Sequence, residues 1–260
     1  MTKIPNNPRV LLCNDDGIHA PGLKSLYEIA SQISDDIWIV APENEQSGAS
    51  HSLSLRHPLR IKKINEKKYS VNGTPTDCVL VALRHILKDQ RPHLVLSGVN
   101  YGSNLAEDVT YSGTVAAAME ATLFNIPSVA FSLDVNDTLP KWATAEHFGA
   151  KIIQILMQYS WPEKVLVNVN FPDLVVKSVA GFRVTYQGQR QIFQDLLQTF
   201  DPRGVPYYWV GSPKDDDSEH SDSDLSAIKQ GAITITPINL DLTHVDSLQE
   251  LTTRFRSEAF

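Results

Sequence analysis

Residues 10–22 read V-L-L-C-N-D-D-G-I-H-A-P-G, an apolar run followed by an acidic, glycine-containing segment. Val10–Cys13 is a short apolar run, typical of a strand that is buried on both faces of a parallel sheet. The run ends at Asn14-Asp15-Asp16-Gly17. Because successive side chains of a strand point to opposite faces, Asp15 and Asp16 can converge only on a turn. We therefore predict an acidic turn directly after a buried strand.

The two adjacent carboxylates of this turn repel each other, and a nearby positive charge would relieve the repulsion. A hard divalent cation with oxygen ligands is the candidate that fits best. Gly17 lets the turn adopt backbone angles that other residues avoid. Taken alone, however, an Asp-Asp-Gly sequence is more often an ordinary turn, because Asp and Gly are common turn formers.

The remainder of the first 170 residues alternates between strand-like and helix-like segments. Predicted strands are 36–42, 94–98, 127–133 and 165–170, and predicted helices are 22–33, 76–87, 113–124 and 142–159. This order predicts βαβ units and an α/β fold with a parallel sheet. Thr76 is the predicted N-cap of the second helix. The long Asn-, Gly- and Ser-rich segment 99–112 is predicted to be a loop.

The regular alternation ends after Phe171. Strands are predicted at 182–186 and 207–210, with antiparallel partners, and at 232–237; helices are predicted at 224–229 and 245–255, and a charged loop at 214–224. We place a boundary at about 171–180. It divides one domain, 1–260, into an α/β core at 8–172 and a β-rich C-terminal extension at 173–260.

Composition and charge restrict the class of protein. A net charge of −7 over 260 residues argues against a partner that is a nucleic acid polymer. The basic cluster at 56–68 lies in a predicted hairpin, 53–71, and we interpret it as a solvated sheet edge in preference to a phosphate-attracting surface. The two cysteines suggest buried apolar residues and no disulfide framework. The absence of a signal peptide or a membrane-spanning run predicts a cytoplasmic protein without membrane contact.

Polar residues follow three of the predicted strands. Asp15 and Asp16 follow the first strand, Ser47 the second, and Asn100 the strand at 94–98. The carboxyl ends of parallel strands share one edge, where open α/β sheets bind ligands. Carboxylate, hydroxyl and amide oxygens suit magnesium, manganese or calcium, and they do not suit zinc. The sequence therefore predicts a cation site at this edge.

The same edge holds a candidate phosphate site. The segment 98–114 ends at Ser112-Gly113-Thr114, where the helix 113–124 begins. Helix N-termini bind phosphate through unpaired N–H groups and a partial positive charge. A metal beside a phosphate site indicates phosphoryl chemistry. Each of these residues has a plainer interpretation as a cap or turn residue. His19 could serve as an acid or base, but a loop histidine is more often structural or exposed.

Several longer motifs match a known family. They are N-D-D-G-I-H-A-P-G at 14–22, A-P-E-N-E-Q-S-G at 41–48, G-T-P-T-D-C-V at 73–79, S-G-V-N-Y-G-S-N at 97–104, Y-S-G-T-V-A-A-A-M-E-A at 111–121 and D-P-R-G-V-P-Y-Y-W at 201–209. With these motifs the chain resembles the SurE family of survival-protein nucleotidases over nearly its whole length. The resemblance implies a Rossmann-like fold and a metal-dependent phosphomonoesterase.

The resemblance also implies substrates, ligands and assembly. Substrates would be nucleoside 5′- and 3′-monophosphates, with short-chain polyphosphate as a further candidate. One divalent cation, magnesium or manganese, would bind Asp15, Asp16, Ser47 and Asn100. The family forms homodimers or homotetramers through C-terminal arms, which match 182–210 and 232–243.

For the reaction we hypothesise that a metal-bound water attacks phosphorus, with Asp15 and Asp16 as catalytic residues. Phosphate-binding groups are then Asn104, Ser112, Gly113 and Thr114. Two alternatives remain at this point. One is a phosphoaspartyl enzyme with Asp15 as nucleophile. The other is a non-catalytic protein that binds a nucleotide or a metal.

Overall fold

The computed structural model describes residues 3–135, 139–191, 196–211, 214–215 and 221–257. The strands are β1 (Val10–Cys13), β2 (Ile37–Pro42), β3 (Ile61–Asn65), β4 (Lys68–Val71), β5 (Leu94–Tyr101), β6 (Ser128–Asp134), β7 (Val165–Pro172), β8 (Phe182–Val184), β9 (Arg190–Gln191), β10 (Leu196–Phe200), β11 (Pro206–Val210), β12 (Lys214–Asp215) and β13 (Ile233–Asn239). The helices are α1 (Pro21–Ser31), α2 (Pro75–Val81), α3 (Asp108–Tyr111), α4 (Gly113–Leu123), α5 (Trp142–Met157), α6 (Asp224–Lys229) and α7 (Val245–Ser257). A π-helical turn, Ala82–Ile86, continues α2, and a short 3-10 helix spans Val176–Ser178.

The central sheet has nine strands in the order β3-β4-β2-β1-β5-β6-β7-β13-β8. The six strands from β4 to β7 in this order are parallel to their neighbours. Their connectivity, third-second-first-fourth-fifth-sixth, is the order of a Rossmann sheet. The predicted α/β fold with a Rossmann-like core is confirmed. The switch in strand order falls at β1, so the ligand-binding crevice should lie at its carboxyl end.

Strand β1 lies at the centre of the packing as well as of the sheet. All four of its side chains are fully buried. Leu12 belongs to the core under α1 and α5, whereas Leu11 and Cys13 belong to the core under α2 and α4. Helices therefore cover both faces of the sheet, and the interpretation of β1 as a doubly buried strand is confirmed.

The N-cap of helix α2 is Thr74, two residues before the predicted N-cap Thr76. Thr74 Oγ1 accepts a hydrogen bond from Asp77 N at 3.1 Å, and Thr74 N donates to Asp77 Oδ2 at 2.9 Å. This reciprocal pair is a capping box. Thr76 is a buried residue of the first turn, so its assignment as N-cap is wrong. Pro75 explains the difference, because its fixed φ favours the first helical position.

The segment predicted as a loop at 99–112 is partly regular, which corrects that prediction. Strand β5 continues to Tyr101 because Asn100 and Tyr101 pair with Ser132 and Leu133 of β6 after a shift in register. Helix α3 then precedes α4. The other predicted core strands and helices occur within a few residues of their predicted ends.

Part of the C-terminal extension joins the central sheet, and part forms a separate hairpin. Strand β13 pairs antiparallel with β7, from Thr234↔Asn170 to Asn239↔Val165, and β8 pairs parallel with β13. The antiparallel partner expected for 182–186 is therefore wrong, and Ile233–Asn239 lies in the sheet of its own chain instead of an arm. Strands β10 and β11 form an antiparallel hairpin, as predicted. Within the charged loop predicted at 214–224, Lys214–Asp215 form β12 instead, and residues 216–220 lie outside the described residues.

Strand β3 occupies one edge of the central sheet, and all of its residues are exposed. Lys63 Nζ lies 2.8 Å from Glu66 Oε1, and Lys67 Nζ lies 2.8 Å from Asp36 Oδ1. The interpretation of the basic cluster as a solvated edge is thereby confirmed for this strand. Both cysteines are free and buried, as expected. Across the described part of the chain, none of the helices has the length and apolarity of a membrane span.

Candidate active site

Asp15 lies at the carboxyl end of β1 and is only 3% exposed. The hydroxyl of Thr114 donates a hydrogen bond to Asp15 Oδ1. A Cβ added to Gly113 would lie 2.8 Å from Asp15 Cβ and 3.1 Å from Asp15 Oδ2. The start of α4 therefore packs directly against this carboxylate, and Gly113 is needed because no side chain fits between them.

The acidic turn carries an uncompensated negative charge. Burial raises the pKa of Asp15, which hydrogen bonds from Thr114 partly offset. Burial and then the charge of Asp15 raise the pKa of Asp16 to about 6. The charge of Glu45 raises the pKa of both aspartates further. Within the described ranges, neither aspartate forms an ion pair with a Lys, Arg or His side chain.

Ser47 lies on the loop after β2, and a backbone contact brings this loop to the acidic turn. Gln46 N donates a hydrogen bond to Asp15 O at 2.8 Å. Ser47 is exposed, and its hydroxyl donates to Glu45 Oε1 at 2.8 Å. The loop thus brings a hydroxyl oxygen toward the acidic turn, and the charge of Glu45 acts on both aspartates. Glu45 was not selected from the sequence, although the motif at 41–48 contains it.

Asn100 reaches the acidic turn from the end of β5. The neighbouring Tyr101 N donates a hydrogen bond to Asp16 Oδ2 at 3.3 Å. Asn100 is half-buried, and its Nδ2 donates to Gly102 O at 2.8 Å. This bond orients the amide so that its Oδ1 is the atom left for a cation. The structure therefore connects the three loops that carry the four predicted metal ligands.

The predicted phosphate residues have different environments. Ser112 is the N-cap of α4, and its hydroxyl accepts a hydrogen bond from Val115 N at 3.0 Å. Gly113 and Thr114 form the first turn of the helix and contact Asp15, as described above. Thr114 is fully buried, and its hydroxyl donates to the Asp15 carboxylate, so it is not placed to bind a phosphate directly.

Asn104 lies in a buried polar network beside the site. Its backbone N donates to Asn170 Oδ1 at 2.8 Å, its Nδ2 donates to Ser132 Oγ at 2.8 Å, and its carbonyl accepts from Asn168 Nδ2 at 2.7 Å. Asn168 and Asn170 were not selected from the sequence. The available signal was V-L-V-N-V-N-F-P at 165–172, where two asparagines interrupt an otherwise apolar buried strand.

The chemistry of the donors fits a hard cation. Among the residues that the structure describes, no three His, Cys, Asp or Glu side chains come together as a metal site. A cation here would therefore use hydroxyl and amide oxygens in addition to Asp15 and Asp16. Such an oxygen set suits magnesium or manganese. A bound cation would also supply positive charge beside the two aspartates, whose pKa values are raised in its absence.

The fold and this site define an α/β protein with an acidic ligand site at the carboxyl edge of a Rossmann-like sheet. The sequence model of the family described as "Survival protein SurE" matches residues 10–194, which include every predicted site residue. The chain belongs to the SurE family. The resemblance that the motifs indicated is thus confirmed.

Related proteins support this placement over nearly the whole chain. A protein of Parvibaculum lavamentivorans named 5'-nucleotidase SurE is 52% identical, over 94% of this chain and 89% of its own. One of the same name from Paramagnetospirillum magneticum is 49% identical, over 96% of this chain and 97% of its own. The crystal structure of the SurE protein from Aquifex aeolicus superposes with a TM-score of 0.83 at 36% identity, over 94% of this chain and 98% of that one.

Proposed function

We propose that this chain is a 5′-nucleotidase that hydrolyses nucleoside 5′-monophosphates to nucleosides and phosphate. Its relatives of about 50% identity carry that name over nearly the full length of the chain. The observation that carries the proposal is the buried Asp15 beside Asp16, whose pKa values are raised chiefly by burial and, for Asp16, by the charge of Asp15. Nucleoside 3′-monophosphates and short polyphosphate are further proposed substrates, since they present the same phosphoryl group.

We further propose that the reaction depends on one magnesium or manganese ion held by Asp15, Asp16, Ser47 and Asn100. When bound, such a cation polarises the phosphoryl group and lowers the pKa of a water molecule. The positions of the four residues on three loops joined by hydrogen bonds support this ligand set. The oxygen-only chemistry of the donors supports the choice of metal.

The protein groups around the site have separate tasks in this proposal. Thr114 fixes the orientation of Asp15 through its hydroxyl. Ser112 satisfies Val115 N, and the backbone N–H of Thr114 is hydrogen-bonded to Asp15, so the N–H of Gly113 is the proposed donor of α4 to a charged phosphate. Asp16 would bind the cation as a carboxylate, because the positive charge of the cation offsets the burial and the repulsion by Asp15 that raise its pKa.

The structure offers less support for Asp15 as a covalent nucleophile. One of its carboxylate oxygens accepts the Thr114 hydrogen bond, and Gly113 packs close to the other. With only 3% of the residue exposed, approach to phosphorus is restricted. We therefore assign Asp15 to cation binding in preference to a phosphoaspartyl intermediate.

The test is hydrolysis of 5′-AMP and 3′-AMP by Asp15→Asn and Asp16→Asn with manganese or magnesium. We expect kcat/KM to fall by more than about 10²-fold, because mutation of residues that only contact a metal ligand can already cost about 10²-fold in activity. Asp89→Asn, which changes an exposed carboxylate on another loop, is the matched control. Near-normal turnover in either site variant, or in the wild type with excess EDTA, would contradict the proposal. An acyl-phosphate trapped on Asp15 would favour the covalent alternative.

We also propose a homodimer or homotetramer assembled through the β10–β11 hairpin and α7. Exposed apolar side chains on both elements support this assembly, among them Trp209 at 62%, Leu248 at 53% and Phe255 at 68%. Apolar surface of this kind marks a binding surface more often than a solvated one. The cytoplasmic location, the division at 171–180 and the absence of nucleic acid and membrane partners stay predictions.

A further inference from the structure

We propose that the exposed ring of Tyr101 is the surface on which the base of a nucleotide substrate stacks. This inference rests on the proposed nucleotidase function and names a residue that selects nucleosides over other phosphate esters. Tyr101 is the last residue of β5 and follows the predicted metal ligand Asn100. Its backbone, but not its side chain, is bound to the acidic pair.

Tyr101 lies next to the proposed cation site, one residue after Asn100 and in backbone contact with Asp16. Its backbone N donates to Asp16 Oδ2 at 3.3 Å, so the Tyr101 side chain starts next to the acidic turn. The side chain is 57% exposed at the same carboxyl edge of the sheet. A phosphate held at Asp15 and Asp16 would thus have its nucleoside within reach of this ring.

A second aromatic residue supports the ring from one side. Trp142, the half-buried first residue of α5, lies with its ring centroid 6.4 Å from that of Tyr101, at an interplanar angle of 50°. Trp142 is itself wedged against the start of α1, since a Cβ on Gly22 would come within 3.3 Å of its ring. Tilted aromatic pairs at this spacing are favourable. The pair therefore holds one side of the Tyr101 ring in place and leaves other ring surface open.

An exposed aromatic ring beside a phosphate site fits a nucleobase. Every base has a π-face, so stacking on a tyrosine binds both purines and pyrimidines and does not depend on base-specific hydrogen bonds. Stacking contributes a factor of about ten or more per base to binding. A sugar phosphate without a base would gain nothing from the ring, which gives the proposal a measurable consequence.

The test compares 5′-AMP with ribose 5-phosphate, which keeps the phosphate and sugar but lacks the base. Each is measured as a substrate or, where it is not turned over, as an inhibitor of 5′-AMP hydrolysis. In Tyr101→Ala we expect KM for 5′-AMP to rise about tenfold or more. The KM or inhibition constant of ribose 5-phosphate should stay unchanged. Tyr101→Phe should retain both wild-type constants, because the π-face remains.

Tyr159 provides the matched control. It is 46% exposed at the other end of α5 and contacts Trp161 at a centroid distance of 6.0 Å, so Tyr159→Ala removes a similar ring from a similar setting. An equal loss for both compounds in Tyr101→Ala would overturn the proposal and assign Tyr101 to holding Asp16; no loss for either would overturn it as well. A wild-type protein that turns over no nucleotide would instead overturn the proposed function from which this inference starts.

Discussion

The carboxyl edge around Asp15 and the two C-terminal elements, the β10–β11 hairpin and α7, differ in how much of their surface their own chain covers. Asp15, Ser112 and Thr114 are all at least nine-tenths buried, and Gly113 leaves no room for a side chain. In the hairpin, by contrast, Leu197 is 65% exposed. The first region is covered by its own chain, whereas the second presents apolar surface that the described part of the chain leaves exposed.

Helix α7 shows why this difference has a physical cost. Its apolar residues Val245, Leu248, Leu251 and Phe255 recur at helical spacing and are all at least half exposed. An isolated helix of this length is marginally stable in water, because most helical stability in proteins comes from burying such a face. In the proposed oligomer, another copy of the chain would cover this face of α7. Three experiments test this difference between the buried site and the exposed C-terminal elements, in order of decreasing effect.

The first substitutes Gly113→Ala at the closed site. The added Cβ would lie 2.8 Å from Asp15 Cβ, so either α4 or the acidic turn must move. A shift of about 1 Å at a catalytic site can cost about 10²-fold, and we expect a loss of that size in kcat/KM for 5′-AMP.

Gly149→Ala is the matched control for Gly113→Ala. It adds the same group at another tight helical glycine, where the Cβ would meet the side chain of Ile29 at 2.7 Å in the contact between α1 and α5. This variant should lose stability by about 1–3 kcal/mol, as overpacked cores do, and keep its kcat/KM. If both variants lost activity equally, the close packing at Asp15 would have no special role.

The second places two charges on the apolar face of α7, as Leu248→Glu with Leu251→Glu. Each leucine contributes part of the roughly 1.5–3 kcal/mol of a fully buried side chain, so we expect association to weaken by about 10²-fold. Light scattering during size exclusion should then report monomers. Gln249→Glu with Thr253→Glu adds the same charges to the polar face and should leave the mass unchanged. An unchanged mass in the leucine variant would show that α7 is not part of the interface.

The third measures the electrostatic cost of the acidic turn. The pKa of Asp16 is raised from 3.8 to about 6 in the folded protein. Between these values the folded protein retains a proton that the unfolded chain releases, so stability falls as the pH rises through this window. Asp16→Asn removes this cost. In EDTA at pH 7 we expect its Tm to exceed that of the wild type by about 2–4 °C, a value reduced for solvent screening.

The pH dependence identifies the source of that gain. The difference in Tm between Asp16→Asn and the wild type should shrink toward pH 4, where both side chains are neutral. Addition of manganese should narrow the difference at pH 7, because the wild type offers the better cation site. If the difference in Tm stayed constant with pH, ionisation of Asp16 would not be the source of the destabilisation.

The fold and the site were predictable to different extents. Apolar runs and helical spacing located β1 and most core elements, and the alternation of strands and helices placed Asp15, Asp16, Ser47 and Asn100 on one edge. The N-cap Thr74 was missed because a proline at the following position shifted the start of α2. The polar network at Asn168 and Asn170 was missed because its contacts reach 64 and 66 residues along the chain.

The sequence alone determined the parallel α/β sheet, the acidic turn after β1 and the family, because side-chain alternation, strand ends and motifs are local properties of the chain. The tertiary structure decided what those residues contact. The Thr114 hydroxyl reaches Asp15 across 99 positions, and β13 joins β7 although the chain between them is long. Such contacts depend on which segments share an edge or a face, and no local pattern encodes that choice. Burial then gives Asp15 and Asp16 raised pKa values, since only the folded chain removes them from water.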